Sequence, residues 1–379
     1  MNRFRRRLTT ASLLAPLAAG SSAARAAIEG DIRVAQVGPF TVLAAPDATQ
    51  LGEGMQALFA DVNARGGING RSIGFQQWDD AYNAERFIGQ VNEALRHKPL
   101  ALLSPVGSTA VKRLLDDKLL DAADVIVLNA VPGAEVLRNP GHPKLFHIRA
   151  GDRQQIEKIV RHAQTLGIAR MAVAYQELPM GTSGFAAARD AAQRLGGITI
   201  SGFNAKPEPA SLVAAAQQVS HADVQAVLVV GAPNFMAQAI AELRKAGVSQ
   251  SLFALSYLPP QALVKAAGDG ARGVGIAQAF PNPMGIALPL QREFHAAMKR
   301  SHAQLEAYSV FHLEGYVTAK TLVEALRRAR EATPAAVARA LHAAGDIDLG
   351  GFHVDFSKGN HGSAFVDIGV VNAQGRLVY

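Results

Sequence analysis

The chain has 379 residues, 49% of them apolar and none of them cysteine, with a formal net charge of +7. The lack of thiols excludes disulfide staples, thiol catalysis and Cys-bearing metal sites. The first 26 residues hold five arginines and no acid, so the remainder carries only +2. No basic stripe with interleaved aromatics follows, and nucleic acid is not an expected partner.

The chain begins with Arg3, Arg5, Arg6 and Arg7, then an apolar run over 8–19, then Ala24-Arg25-Ala26. That order is the pattern of a secretory signal, residues 1–26, cut after Ala26. The run is about a dozen residues, short of the roughly 20 that span a bilayer. The arginines leave both general and twin-arginine export open. No second long apolar run exists, so the expected product is soluble and periplasmic. About 350 residues remain, which is the length of two domains.

Strand and helix patterns then alternate. A β-like run covers 32–37. Leu51, Met55, Leu58, Phe59 and Val62 fall on one face of a helix. That helix stops at Gly66-Gly67, and Asn69-Gly70 turns the chain into a strand over 72–78. These glycines could cradle a phosphate, but a helix end followed by a turn explains them by positive φ alone. Strands are expected at 100–104 and 124–129, with a helix opening near Ser108 between them. Further strands fall at 171–175, 199–203, 226–230 and 252–255, with helices between them, for example over 184–195 and 234–246. Apolar strands separated by helices predict an α/β fold of parallel sheets covered on both faces. Two runs, 30–130 and 170–280, predict two doubly wound lobes. Residues 286–303, 310–329 and 334–343 read as helices, and 349–379 as short strands with Gly-rich turns.

Several motifs have plain readings. Gly268 to Gly273 spells G-x-G-x-x-G, but a helix precedes it and a strand follows, the reverse of a dinucleotide fingerprint. It reads as a helix-to-strand turn. Asp79 and Asp80 are adjacent at a strand end and point to opposite sides, so they do not form a convergent acid pair. Helix capping and turn hydrogen bonds are their expected work. The eleven histidines are scattered, show no zinc spacing, and are expected at the solvated surface. No G-x-S-x-G elbow or phosphate loop is present, although a convergent triad leaves no sequence signature.

The stretch SPVGSTAVKRLL, 104–115, is more informative. A buried strand ends and Ser108-Thr109 opens a helix. Two hydroxyls and free N–H groups at a helix start can hold an anion. Simple N-capping by Ser108 fits the same residues.

The segments QVGPF, GMQALFADVNARGGINGRSIGFQQWDDAYN, LSPVGSTA, VLNAV and YVTAKTLVEAL, in this order, resemble the type I periplasmic solute-binding proteins of ABC importers. The nearest group is the leucine/isoleucine/valine-binding family, and the likeness covers essentially all of the chain after residue 26. It implies two lobes joined by three crossing segments, closing like a jaw. Lobe 1 would comprise 27–149 and 281–350, and lobe 2 would comprise 150–280 and 351–379. It implies a ligand carboxylate at Ser108 and Thr109, with further contacts from Val131 and Pro132. Lobe 2 would contribute Met180, Asn234, Ser256 and Tyr257. Phe40, on the loop after the first strand, could supply an apolar wall or simply core packing.

One position departs from the pattern. Similar amino-acid binders carry an acid after the strand at 252–255 to pair with the ligand's ammonium. No Asp or Glu occurs from 249 to 268, and Tyr257 stands in that place. A buried ammonium with no counter-charge costs several kcal/mol. The ligand is therefore expected to lack an ammonium, unless Glu177 on a neighbouring loop takes the role. The expected function is to deliver a small organic ligand (a carboxylate, aromatic acid, amide or amino acid) to an ABC permease of the inner membrane, without catalysis, cofactor or metal. A periplasmic sensor on the same fold is the alternative. An exported enzyme would need a phosphate loop, triad or metal set.

Overall fold

The computed structural model describes residues 30–42 and 47–379. The expected signal segment lies outside the described residues.

Two sheets carry the fold. The first comprises β1 (Ile32–Gly38), β2 (Ile73–Asp79), β3 (Ala101–Leu103), β4 (Ile126–Leu128) and β5 (Leu145–Phe146), in the order β2-β1-β3-β4-β5. All four pairings are parallel, with Ile32 opposite Ile73 and Val34 opposite Ala101. The connecting helices are α1 (Ala48–Ala64), α2 (Ala84–Arg96), α3 (Ser108–Asp116) and the single turn α4 (Leu119–Ala122). The chain then passes through 147–151 into the second body of structure.

That second body alternates α5 (Asp152–Thr165), β6 (Arg170–Gln176), α6 (Pro179–Leu195), β7 (Thr199–Ala205), α7 (Pro209–His221), β8 (Ala226–Val230), α8 (Pro233–Lys245), β9 (Ser251–Ala254), α9 (Pro260–Ala267) and β10 (Gly275–Gln278). Three helices, α10 (Pro289–Ser301), α11 (Val310–Arg328) and α12 (Pro334–Ala343), follow before a ribbon of β11 (Asp346–Asp348) and β12 (His353–Asp355). Finally β13 (Asp367–Val371) and β14 (Leu377–Val378) return to the second sheet, whose order is β14-β13-β10-β9-β8-β6-β7. The last two strands pair antiparallel and the others parallel.

The expected elements appear within a few residues of their predicted ends. β8 shows why. Its sequence AVLVV is fully buried, the signature of a parallel strand covered on both faces. The turn after α1 also forms as expected: Gly67 sits at φ +73°, and a Cβ there would meet the Arg71 carbonyl at 2.1 Å. Residues 268–271 form a 3-10 turn between α9 and β10, so the G-x-G-x-x-G stretch joins a helix to a strand. β5, only two residues long, gave no periodic signal.

Two histidines depart from the surface expectation. His312 is buried, with Nε2 2.9 Å from Glu53 Oε2 and Nδ1 accepting from the Ser309 N–H at the start of α11. His147 is buried opposite His361, their ring centroids 5.5 Å apart. Burial holds the His147 ring well below its ordinary value, hence neutral. Both residues lie in segments that run between packed elements, where solvent is displaced whatever the residue type.

Helices α1 and α11 cross at a pair of glycines. A Cβ on Gly54 would lie 1.9 Å from the His312 carbonyl oxygen, and one on Gly315 would lie 1.9 Å from that of Leu51. Backbone cannot yield as a flexible side chain does, so Gly315→Ala is expected to cost at least about 1–3 kcal/mol in urea unfolding. Gly89, in α2, meets nothing within 4 Å. There Gly89→Ala should stabilise by about 0.4–1 kcal/mol. Equal effects at the two positions would contradict the close crossing.

Candidate functional site

Each sheet reverses its winding once. In the first, β2 lies to one side of β1 and β3 to the other. In the second, β7 and β8 flank β6 in the same manner. Ligands of open α/β sheets bind outside the carboxyl ends of the strands at these points. Five of the expected residues flank them. Phe40 follows β1, and Ser108 and Thr109 open α3 after β3. Met180 and Asn234 lie in the first turns of α6 and α8.

The α3 start is built from Gly107. This glycine occupies the N-cap position at φ +98°, and no side chain caps the helix. Ser108 is the first helical residue, so it does not perform the capping that its sequence position allowed. Asp47, Asn83, Ser309 and Thr333 cap α1, α2, α11 and α12 with side-chain oxygens, while α5 to α9, like α3, have no side-chain cap; of these uncapped helices α3 alone opens with two consecutive hydroxyl residues. The first N–H groups of α3 thus lack both intrahelical and capping acceptors. The partial positive charge of the helix start adds to them.

The loop after β2 forms a second wall. The Asp79 carboxylate accepts from the Phe40 N–H at 2.9 Å, the Thr41 N–H at 3.1 Å and the Thr41 hydroxyl at 2.8 Å. It also pairs with Arg86 at 2.7 Å. Asp80 is buried and accepts from the Tyr82 N–H at 2.7 Å. The turn bonds expected of both aspartates are present, but the cap of α2 is Asn83 Oδ1, which accepts from the Arg86 N–H at 2.9 Å.

In the second sheet, Gln176 ends β6 and its Oε1 accepts from the Ala232 N–H at 2.8 Å. This bond ties the loop before α6 to the loop before α8. Met180 is partly exposed and Asn234 exposed, as is Glu177 beside them. No hydrogen bond joins Ser108 or Thr109 to Met180 or Asn234 among the described residues.

Val131, Pro132, Ser256 and Tyr257 form a separate, buried group. The Val131 N–H donates to the Pro105 carbonyl at 3.1 Å, and the Asp152 N–H donates to the Gly133 carbonyl at 3.0 Å. The Tyr257 hydroxyl donates to Asp152 Oδ1 at 2.7 Å. Its proton is therefore already committed. The Arg149 guanidinium lies 5.1 Å from the Tyr257 ring centroid and donates to Ser256 Oγ at 2.8 Å. The same guanidinium pairs with Glu314 at 3.0 Å, and both side chains are wholly buried. Asn129 Nδ2 donates to Glu314 Oε1 at 3.1 Å and to Thr318 Oγ1 at 2.9 Å. Burial pushes the Glu314 carboxyl up and the Arg149 charge pulls it down. Burial likewise raises the Tyr257 hydroxyl, with Asp152 reinforcing it.

The residues that motif reasoning missed have a readable sign. Glu314 is the one acid among the buried residues of α11, so it requires a buried cation. Arg149 alternates with the buried Ile148 and Ala150 in the segment leaving β5. Nothing local pairs the two, which stand 165 positions apart.

A cavity of about 750 Å³ opens at the other end of the first sheet, lined by Asp31, Arg33, Leu95, Lys98 and Pro334 among others. It lies at the amino ends of β1 and β3, away from the carboxyl-end loops where ligands of open α/β sheets bind. The carboxyl-end loops are the better candidate on those grounds. Among the described residues no group of three or more His, Cys, Asp or Glu side chains could hold a metal ion.

Burial pushes the Asp80 carboxyl up to about 6 from 3.8, the Tyr82 N–H bond only partly opposing it. The folded chain therefore holds this proton more tightly than the unfolded chain. Its contribution is fully present below about pH 4 and is lost as pH rises through about 6, at a cost of about 3 kcal/mol. Asp80→Asn keeps the Oδ1 acceptor and removes the charge. It should unfold at higher urea than the parent at pH 7.5 and at about equal urea at pH 4. A gap independent of pH would contradict the burial argument.

Residues 31–376 match the family model described as periplasmic binding protein. No curated protein matches the chain. Among solved structures, an extracellular ligand-binding receptor from Verminephrobacter eiseniae is 50% identical, with 92% of this chain and 99% of that one covered at a TM-score of 0.87. A substrate-binding periplasmic protein from Ralstonia solanacearum is 32% identical over 92% and 99%, with a TM-score of 0.80. A possible leucine/isoleucine/valine-binding protein from Rhodopirellula baltica is 22% identical over 92% and 96%, with a TM-score of 0.79, a likeness of fold. This match over nearly the whole chain and the 50% identity to a solved receptor make it a member of the periplasmic binding protein family, with the type I fold and a ligand-binding role.

Proposed function

We propose that the chain is the periplasmic substrate-binding protein of an ABC importer and that it takes a small carboxylate without an ammonium group. The observation that carries this reading is the α3 start, where no side chain caps the helix and two hydroxyls open its first turn. Hydrogen bonds from N–H groups and hydroxyls to a carboxylate are the charge-assisted kind, and a helix start favours negative charge.

The lack of an acid in the segment after β9 supports the second half of the proposal. None occurs from 249 to 268. The buried acid beside Tyr257 is Asp152, and Tyr257 already donates to it. Tyr257 and Ser256 therefore act as supports of the rear wall in this reading, while Ser108, Thr109, Phe40, Met180 and Asn234 face the ligand. Val131 and Pro132 hold the loop behind them.

Lobe 1 in this proposal is 27–149 with 281–350, and lobe 2 is 150–280 with 351–379. The crossings are the segments near 147–151, 279–288 and 356–366, and with the last of these β12, paired with β11, goes with lobe 1 rather than lobe 2. A ligand held by both lobes favours their closed arrangement by its extra contacts there. The permease reads the closed shape, and no bond in the ligand is made or broken.

Two titrations test this. The double variant Ser108→Ala, Thr109→Ala should weaken a bound carboxylate by about 1.5–3 kcal/mol for each charge-assisted bond lost. Isothermal calorimetry that finds the affinity unchanged would remove the anion site. Glu177→Gln should leave carboxylate affinity within twofold, and leucine should rank below the ammonium-free acids. Nanomolar leucine binding abolished by Glu177→Gln would contradict the ligand class.

A further inference from the structure

Tyr82 is the most exposed aromatic side chain among the described residues, at 53%. Its hydroxyl makes no hydrogen bond among them. The ring nevertheless has a fixed place. Its Cε2 lies 3.5 Å from where a Cβ on Gly107 would stand, which puts the ring edge beside the first turn of α3.

The backbone that holds it there is unusual. Ala81 and Tyr82 are consecutive residues in the left-handed region, at φ 48° and 58°. Asp79 Oδ1 accepts from the Ala81 N–H at 3.1 Å and Asp80 Oδ1 from the Tyr82 N–H at 2.7 Å. Glycine or asparagine would serve such a turn with less strain. The turn itself does not require a bulky aromatic residue in that conformation, with half its surface left in solvent. Strain kept by a rigid surround is a mark of functional position.

We infer that Tyr82 is a specificity-determining residue of the proposed site, and that the carboxylate it selects carries a flat, unsaturated ring or chain. This inference rests on the carboxylate reading above. The α3 start takes the charged end, and the Tyr82 ring offers a face or edge to the planar body next to it. Offset and edge-on aromatic contacts favour planar partners over puckered ones. The unspent hydroxyl offers one polar contact at the far side.

The test compares pairs of acids that differ only in planarity: benzoate against cyclohexanecarboxylate, and phenylacetate against cyclohexylacetate. Calorimetric titration of the full processed chain should give about a fivefold preference for each aryl acid. Tyr82→Leu should reduce that ratio to near one, and Tyr82→Phe should preserve it. If Tyr82→Leu leaves the ratio unchanged while the Ser108/Thr109 double variant weakens every acid, the inference falls and the carboxylate reading stands. If no acid of the set binds the parent protein, both fall.

Discussion

A wholly buried guanidinium sits at the join between the two sheets. Arg149 stands where the chain has just left β5 and is about to enter α5. It pairs with Glu314 on α11, reaches Ser256 beyond β9, and lies over the Tyr257 ring. Three distant stretches of sequence are thereby fixed to one planar group. Such a pair contributes little over an apolar filling, but removing one member leaves a charge buried alone, at about 3–5 kcal/mol. The arrangement tolerates no partial substitute, which suits a joint that would keep one geometry through the proposed closure.

The cleft-side residues follow from that anchor. With the segment 147–151 held, the loop after β4 meets the α5 start through Gly133 and Asp152, and the loop after β9 is drawn to the same point. The two walls left free are the carboxyl ends of β1 and β3 and those of β6 and β8. In the first wall a glycine at φ +98° takes the place of a capping side chain. That exchange leaves donors unspent at the helix start and sets Ser108 and Thr109 at its rim.

Much of this was legible before any coordinates. The alternation of apolar strands and amphipathic helices is a local signal, and β8 and α1 carry it plainly. The turn at 66–70 announced itself through glycines that only positive φ explains. The carboxyl-end position of Ser108 and Thr109 followed from the strand before them. What escaped were relations between distant residues. The partner of Glu314 lies far away in sequence, and the Tyr257 hydroxyl is claimed by Asp152, a residue of no motif. Asp80 looks like any turn aspartate until the surrounding fold buries it. His147 and His312 were misplaced at the surface because burial of a polar side chain depends on what packs against it, which no local pattern encodes.

The account turns on where a bound acid lies. A crystal structure of the chain from residue 27 onward, grown with an ammonium-free carboxylate, would decide it. The account predicts carboxylate oxygens within about 3 Å of the Ser108 and Thr109 N–H groups or hydroxyls, with residues from both halves touching the ligand. An acid seated instead in the cavity at the amino ends of β1 and β3, or held by one half alone, would contradict it.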